Sequence, residues 1–183
     1  MPGAGHSWYD VMQVLSQVQM MMMTGATDFA QLLEMNPAGL ESSSVALAEL
    51  VDAVVEEEKR LDEAFSRGRV ILGGFSQGAT LSFDVALAHG KAEDPFRALF
   101  LWSGLLLRRE KLRAMASVNF VRPAGGVFVS HGFQDMTVPY ALGKGMSELV
   151  QELVDGTAEV YDFEGGHTVP PRAIEAAIQT ILL

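Results

Sequence analysis

Cysteine is absent from the 183 residues, which excludes disulfides, thiolate metal sites and a cysteine nucleophile. Basic residues are scarce as well, 13 Lys and Arg against 23 Asp and Glu, so the formal net charge is −10. That balance argues against the backbone of a nucleic acid, or an anionic membrane surface, as the main partner. No stretch approaches the roughly 20 consecutive apolar residues of a membrane span, and no stable membrane insertion is expected. The first residues show neither a basic segment nor a small-residue cleavage site, so the expected location is cytoplasmic. The four histidines are scattered without ligand spacing, which leaves a metal hydrolase with little support; no metal and no other cofactor is expected. What remains is 49% hydrophobic and 20% charged, the composition of one ordinary domain over residues 1–183 with a sizeable core.

The densest signal is Gly73-Gly74-Phe75-Ser76-Gln77-Gly78-Ala79. Upstream, Arg69-Val70-Ile71-Leu72 reads as a short buried strand. Downstream, Leu81, Val85 and Ala88 recur at helical spacing, and Phe83 and Leu87 widen the apolar face. Strand, G-x-S-x-G and helix together form the context of a nucleophile elbow, in which a tight turn excludes side chains at both Gly74 and Gly78. The serine hydroxyl then stands at the strand's carboxyl end beside a helix N-terminus, whose free N–H groups suit an oxyanion. The plainer reading is a helix start that Ser76 merely caps.

The spacing predicts a helix from Val11 to Met23, ending in Met20-Met21-Met22-Met23, a run that packs as core or offers an adaptable surface to an acyl chain. Asp28 can cap a short helix reaching Met35, and Ser43 or Ser44 a longer one with Leu47, Leu50, Val51 and Val54 on one face. This N-terminal helical segment covers about 8–60, and a core follows over about 69–183. Further strands are expected at Phe96–Trp102, Gly126–His131 and Ala158–Phe163. Between and after them come a charged helix at Arg108–Ser117, one carrying Leu142, Met146, Leu149, Val150 and Leu153, and a closing one with Ile174, Ala177, Ile178 and Ile181. Such alternation implies an α/β fold, a mostly parallel sheet flanked by helices, with reactive groups gathered beyond the strands' carboxyl ends.

Three of those loops carry Ser76, Asp135 and His167. A serine hydroxyl needs a base within hydrogen-bond reach, and histidine titrates nearest to neutral pH. A carboxylate then holds the imidazole in the right tautomer and stabilises its protonated form. Asp162 is the nearest rival carboxylate. His131 could compete as base, though ordering the Asp135 loop is the role expected for it.

Leu72 to Gly78, His131-Gly132-x-x-Asp135-x-x-Val138-Pro139 and Gly165-Gly166-His167 resemble the motifs of the carboxylesterase/phospholipase family of α/β-hydrolases, which includes acyl-protein thioesterases. Ser7-Trp8-Tyr9-Asp10 is similar to that family too. The resemblance implies a reduced α/β-hydrolase fold with Ser76 as nucleophile, Asp135 as orienting acid, His167 as base and the Gln77 N–H as one oxyanion donor. Family members carry, ahead of the tryptophan motif, strands and a His-Gly loop that supplies a second donor. None is found upstream here, so the expectation is a loss of about a hundred- to a thousandfold in rate unless Gly3-Ala4-Gly5 or a neighbouring subunit substitutes. The strand before Ser76 is then expected to be a sheet edge, covered by the N-terminal helices or paired in a homo-oligomer. Trp8, Phe75, Trp102 and Met136 are candidates for the substrate pocket. The reading is a serine carboxylic-ester hydrolase for small to medium acyl esters. A lysophospholipase or acyl-protein thioesterase is the alternative in its class, and a catalytically weak fragment acting by binding or assembly the alternative outside it.

Overall fold

The computed structural model describes residues 7–25 and 28–182. They contain three α-helices and then four strands that alternate with four more: α1 (Val11–Thr24), α2 (Ala30–Leu33), α3 (Leu40–Lys59), β1 (Ile71–Phe75), α4 (Gln77–Ala88), β2 (Ala98–Trp102), α5 (Arg109–Asn119), β3 (Val127–Gly132), α6 (Tyr140–Leu153), β4 (Glu159–Phe163) and α7 (Pro171–Leu182). The strands form one parallel sheet in the order β1-β2-β3-β4. All four carboxyl ends therefore open on one side of the sheet. None of the helices among the described residues is long and apolar enough to cross a membrane.

Alternation along the strands divides the core in two. Ala98 and Phe100 of β2 and Phe128 of β3 face α7, packing on Ala173 and Ala177. Leu99, Leu101, Val127 and Val129 face the other way, into the larger core that α4 and α6 share. The small side chains of Ala173 and Ala177 are what let α7 approach the sheet. Ile174 and Ile178, expected to face inward, are half exposed instead.

Helix α1 starts where Asp10 Oδ1 accepts the Gln13 N–H at 3.0 Å. Helix α3 departs from its expected start: it begins at Leu40 after Gly39, with no side-chain cap. Ser43 instead donates its hydroxyl to the Trp8 carbonyl, and Ser44 is buried within the helix. The inward face of α3 is Leu40, Ser44, Ala48, Val51 and Val55. Leu50 and Val54 point to solvent, because they lie off this face while α3 docks on α4.

Strand β1 runs through both glycines to Phe75, longer than the expected apolar run. It lies at a sheet edge as anticipated. The N-terminal helices do not cover that edge, since Ile71, Gly73 and Phe75 are all exposed. Of these helices, α3 packs on α4 instead.

Helix α4 is buried on every side from Ala79 to Ala88, because the sheet, α3 and α5 surround it. A helix in that position has no solvent face on which to place a charge, yet it carries Asp84, 1% exposed. Arg108, 3% exposed, answers it: Nε donates to Asp84 Oδ2 at 3.0 Å, and Nη2 donates to the same oxygen. Removing one partner of such a pair strands the other charge in the core. We expect Asp84→Ala to lower unfolding free energy by about 3–5 kcal/mol in urea titrations. Asp84→Leu combined with Arg108→Met is expected to lose much less.

Candidate active site

The turn from β1 into α4 sets the geometry of Ser76. Its backbone adopts φ 56° and ψ −118°, a conformation that costs a non-glycine residue about 1–3 kcal/mol. The strain is held by the Ser76 N–H donating to Trp102 O at 2.9 Å and by Ser76 O receiving the Ala79 N–H at 3.1 Å. Gly74 is what allows strand and helix to close so tightly. A Cβ there would lie 2.3 Å from Gly78 C and 2.6 Å from Gly78 O, backbone atoms that cannot move aside. The second glycine differs from expectation, because a Cβ on Gly78 meets no heavy atom within 4 Å. Gly74→Ala should therefore unfold more than about 3 kcal/mol below the parent and Gly78→Ala within about 1 kcal/mol of it, as read from denaturant midpoints.

Beyond β3, Asp135 folds its own loop. Oδ1 accepts the N–H groups of Thr137 and Val138, both at 2.8 Å. Oδ2 accepts from His167 Nδ1 at 2.7 Å and lies 3.3 Å from His131 Nε2. The side chain has no solvent exposure, so these donors replace water around the carboxylate. His131 also contacts the Val138 carbonyl through Nε2 at 2.8 Å. A carbonyl only accepts, so Nε2 carries the hydrogen and clamps the loop, the role the sequence suggested for it. Helix α6 presses on the same ring: a Cβ on Gly143 would stand 2.0 Å from His131 Nδ1.

Beyond β4, the loop bearing His167 is tied to its neighbour by Gln134 N–H to Gly165 O at 2.9 Å. His167 Nε2 then reaches Ser76 Oγ at 2.9 Å. Because Nδ1 faces a carboxylate, the proton sits on Nδ1 and leaves Nε2 to accept from the serine hydroxyl. The Phe75 ring packs on the imidazole with centroids 4.6 Å apart. Asp162 is engaged elsewhere, accepting the Tyr140 hydroxyl at 2.5 Å, and that bond is the leading cause raising the Tyr140 phenol to about 12.

The pocket at Ser76 is lined by Tyr9, Val14, Leu15, Thr80, Leu105 and Val138 among others, and none of the four expected pocket residues is among them. Phe75 backs His167. Trp102 faces the α7 side of the sheet with Phe100, because its register in β2 points it there. Trp8 is half exposed, and only its backbone N–H reaches the site, at Gln77 Oε1 (3.4 Å). Met136 borders an adjoining groove. Gly3-Ala4-Gly5 lies outside the described residues. Among the described residues, no group of three or more His, Asp or Glu could hold a metal ion.

Tyr9, in the Ser7-Trp8-Tyr9-Asp10 stretch, lines the pocket although no local pattern in the sequence marks it for that place. It is 4% exposed, and burial pushes its phenol from 10.0 up to about 12 against the opposing bond with Thr80. The folded protein thus keeps a proton that the unfolded chain releases. Its contribution to stability is complete below pH 10 and lost as pH climbs to about 12, roughly 3 kcal/mol in all. Unfolding midpoints of the parent should fall across that window, and those of Tyr9→Phe should fall less.

A family model described as Phospholipase/Carboxylesterase matches residues 27–182. The chain belongs to this family. The acyl-protein thioesterase 1 of Emericella nidulans is 28% identical over 120 residues, covering 64% of this chain and 48% of that protein, and that of Aspergillus fumigatus gives the same figures. The chain thus spans about half the length of the curated relatives it matches. Among solved structures, esterase PE8 aligns with a TM-score of 0.63 at 25% identity over 79% of this chain and 61% of its own. Zea mays acyl-protein thioesterase 2 aligns at 0.59 and 19% over 79% and 64%, a likeness of fold. The family is one of esterase and thioesterase hydrolases, and the chain shares their α/β-hydrolase fold.

Proposed function

We propose that this chain is a serine hydrolase that cleaves carboxylic esters of small to medium acyl groups through an acyl-enzyme. The observation that carries the reading is the unbroken relay from Asp135 Oδ2 through His167 to Ser76 Oγ, at 2.7 and 2.9 Å. In this reading Ser76 Oγ attacks the substrate carbonyl while His167 Nε2 takes its proton. Negative charge then develops on the carbonyl oxygen in front of α4, whose first N–H, that of Gln77, donates to it. His167 returns the proton to the departing alcohol oxygen, which frees the alcohol. Water, deprotonated by the same nitrogen, releases the acid and regenerates Ser76. Asp135 holds the tautomer and stabilises the imidazolium without itself taking the proton.

Thioester hydrolysis is the second reading. It is favoured by the two curated relatives, both acyl-protein thioesterases, and follows the same steps with a thiolate as leaving group.

Hydrolysis of p-nitrophenyl butyrate and of a butyryl thioester by the parent, Ser76→Ala, His167→Ala and Asp135→Asn tests both. Ser76→Ala and His167→Ala should fall to the level of buffer, and Asp135→Asn by about 10⁴ in kcat. A parent no faster than Ser76→Ala on either substrate would overturn the hydrolase reading and leave a binding or assembly role.

A further inference from the structure

Acyl transfer through Ser76 puts a growing negative charge on the substrate's carbonyl oxygen, and the Gln77 N–H is one donor to it. No Lys or Arg is among the residues that line the pocket in front of Ser76, so further stabilisation there comes from neutral donors. Most of these are already engaged. The Thr137 and Val138 N–H groups go to Asp135 Oδ1 at 2.8 Å, that of Leu105 to Thr80 Oγ1 at 3.2 Å and that of Thr80 to Ser76 O at 3.2 Å. The Thr80 hydroxyl gives its own hydrogen to Leu105 O at 2.9 Å.

Tyr9 keeps its donor in hand. The residue lines the same pocket and is 4% exposed, and the polar group acting on its phenol oxygen is the Thr80 hydroxyl. Thr80 sits one helical turn beyond Ser76, with Oγ1 3.4 Å from Ser76 O, which brings the phenol to the first turn of α4. Because the Thr80 hydrogen is committed to Leu105, the phenol hydrogen is left for a ligand. A buried hydroxyl without a firm acceptor costs stability, and a substrate oxygen in the pocket supplies that acceptor. Burial also keeps the phenol protonated, with its pKa pushed up to about 12.

The segment carrying Tyr9 is fastened to Gln77 itself. Trp8 N–H donates to Gln77 Oε1 at 3.4 Å, and Gln77 Nε2 donates to Ser7 Oγ at 3.3 Å. Ser43 holds the Trp8 carbonyl, and Asp10 N–H donates to Ala38 O at 2.8 Å. The residue whose main chain faces the reacting carbonyl thus anchors, through its side chain, the segment that brings in the phenol.

We infer that the Tyr9 hydroxyl is a second oxyanion donor, a catalytic residue that hydrogen-bonds the substrate's carbonyl oxygen beside the Gln77 N–H. The inference rests on the hydrolase reading above. As Ser76 Oγ bonds to the carbonyl carbon, its proton passes to His167 Nε2 and the carbonyl π pair moves onto oxygen. The phenol hydrogen bonds that oxygen and stays on Tyr9. Val11, Val14, Leu15 and Val138 make the surrounding walls apolar, which strengthens a hydrogen bond to a charged acceptor. The bond tightens as charge develops, so it favours the transition state over the bound ester.

Tyr9→Phe removes the hydroxyl and keeps the ring. With p-nitrophenyl butyrate it should lower kcat at least about tenfold, leave KM within about twofold and keep the urea midpoint at pH 7 close to the parent's. A purely structural role would lower the midpoint or raise KM instead. A second arm measures binding of trifluoromethyl butyl ketone, whose carbonyl carbon accepts Ser76 Oγ to form an oxyanion adduct that has no leaving group. Tyr9→Phe should weaken that binding by about the factor lost in kcat, whereas in a Ser76→Ala background, where no oxyanion forms, it should make little difference.

A smaller loss of kcat, or ketone binding unchanged by Tyr9→Phe, would overturn the inference while the hydrolase reading stands. A parent that cleaves no ester yet binds the ketone through Ser76 still decides the matter, by whether Tyr9→Phe weakens the adduct. A parent that cleaves nothing and binds the ketone no better than Ser76→Ala overturns both.

Discussion

The crossing of β1 over the first turn of α4 sets a constraint that the rest of the structure serves. With a Gly74 Cβ excluded by Gly78 backbone at 2.3 Å, strand and helix meet closely enough to force Ser76 to φ 56°. Strain of this kind persists only when the surroundings over-determine it. Here they do so through Trp102 O on the neighbouring strand and through the complete burial of α4 beyond its first turn. The Asp84–Arg108 pair belongs to the same account. A helix enclosed by the sheet, α3 and α5 is rigid enough to hold the turn, and it tolerates a buried carboxylate only because Arg108 folds onto it.

A second set of contacts brings the remaining groups to that turn. Asp135 is placed by its own loop's N–H groups and by His131, while His167 is placed by Asp135 and by the ring of Phe75. The donors around Asp135 come from its own loop, the end of β3 and the loop after β4. Parallel strands in sequential order put these loops side by side at one end of the sheet. The buried carboxylate is thereby both an anchor between loops and the partner that fixes the imidazole proton on Nδ1. On the proposed hydrolase reading, structural and chemical roles coincide in one side chain, so stability and turnover respond together to its loss. The pair Asp135→Asn and Ser76→Ala separates them, since serine is not part of the anchor.

The elements read well from sequence where periodicity was strong. All four strands and the helices α1 and α4 to α7 lie within a few residues of their expected positions, because apolar runs and 3.6-residue spacing are local properties. Faces were read less well. Leu50, Val54, Ile174 and Ile178 keep helical spacing and yet look to solvent: α3 turns Ala48, Val51 and Val55 inward, and in α7 the small Ala173 and Ala177 pack on the sheet. Seryl caps were expected for α3 from residue type alone, but Ser43 is used to hold Trp8 and Ser44 is buried.

By itself the sequence determined that Ser76, Asp135 and His167 come together, as their hydrogen bonds show. A serine on a glycine turn, a carboxylate and a histidine each follow a strand, and a parallel sheet can only deliver them to one edge. It determined the chemistry of the groups as well, because hydroxyl, imidazole and carboxylate have fixed donor and acceptor capacities. Tertiary structure alone decided what surrounds them. Phe75 and Trp102 are pocket candidates by residue type, but strand register turns Trp102 to the α7 face and lays Phe75 on His167. Tyr9 and Leu15, distant in sequence, form the wall instead. Which side chains line a pocket depends on how whole elements dock, and no local pattern carries that information.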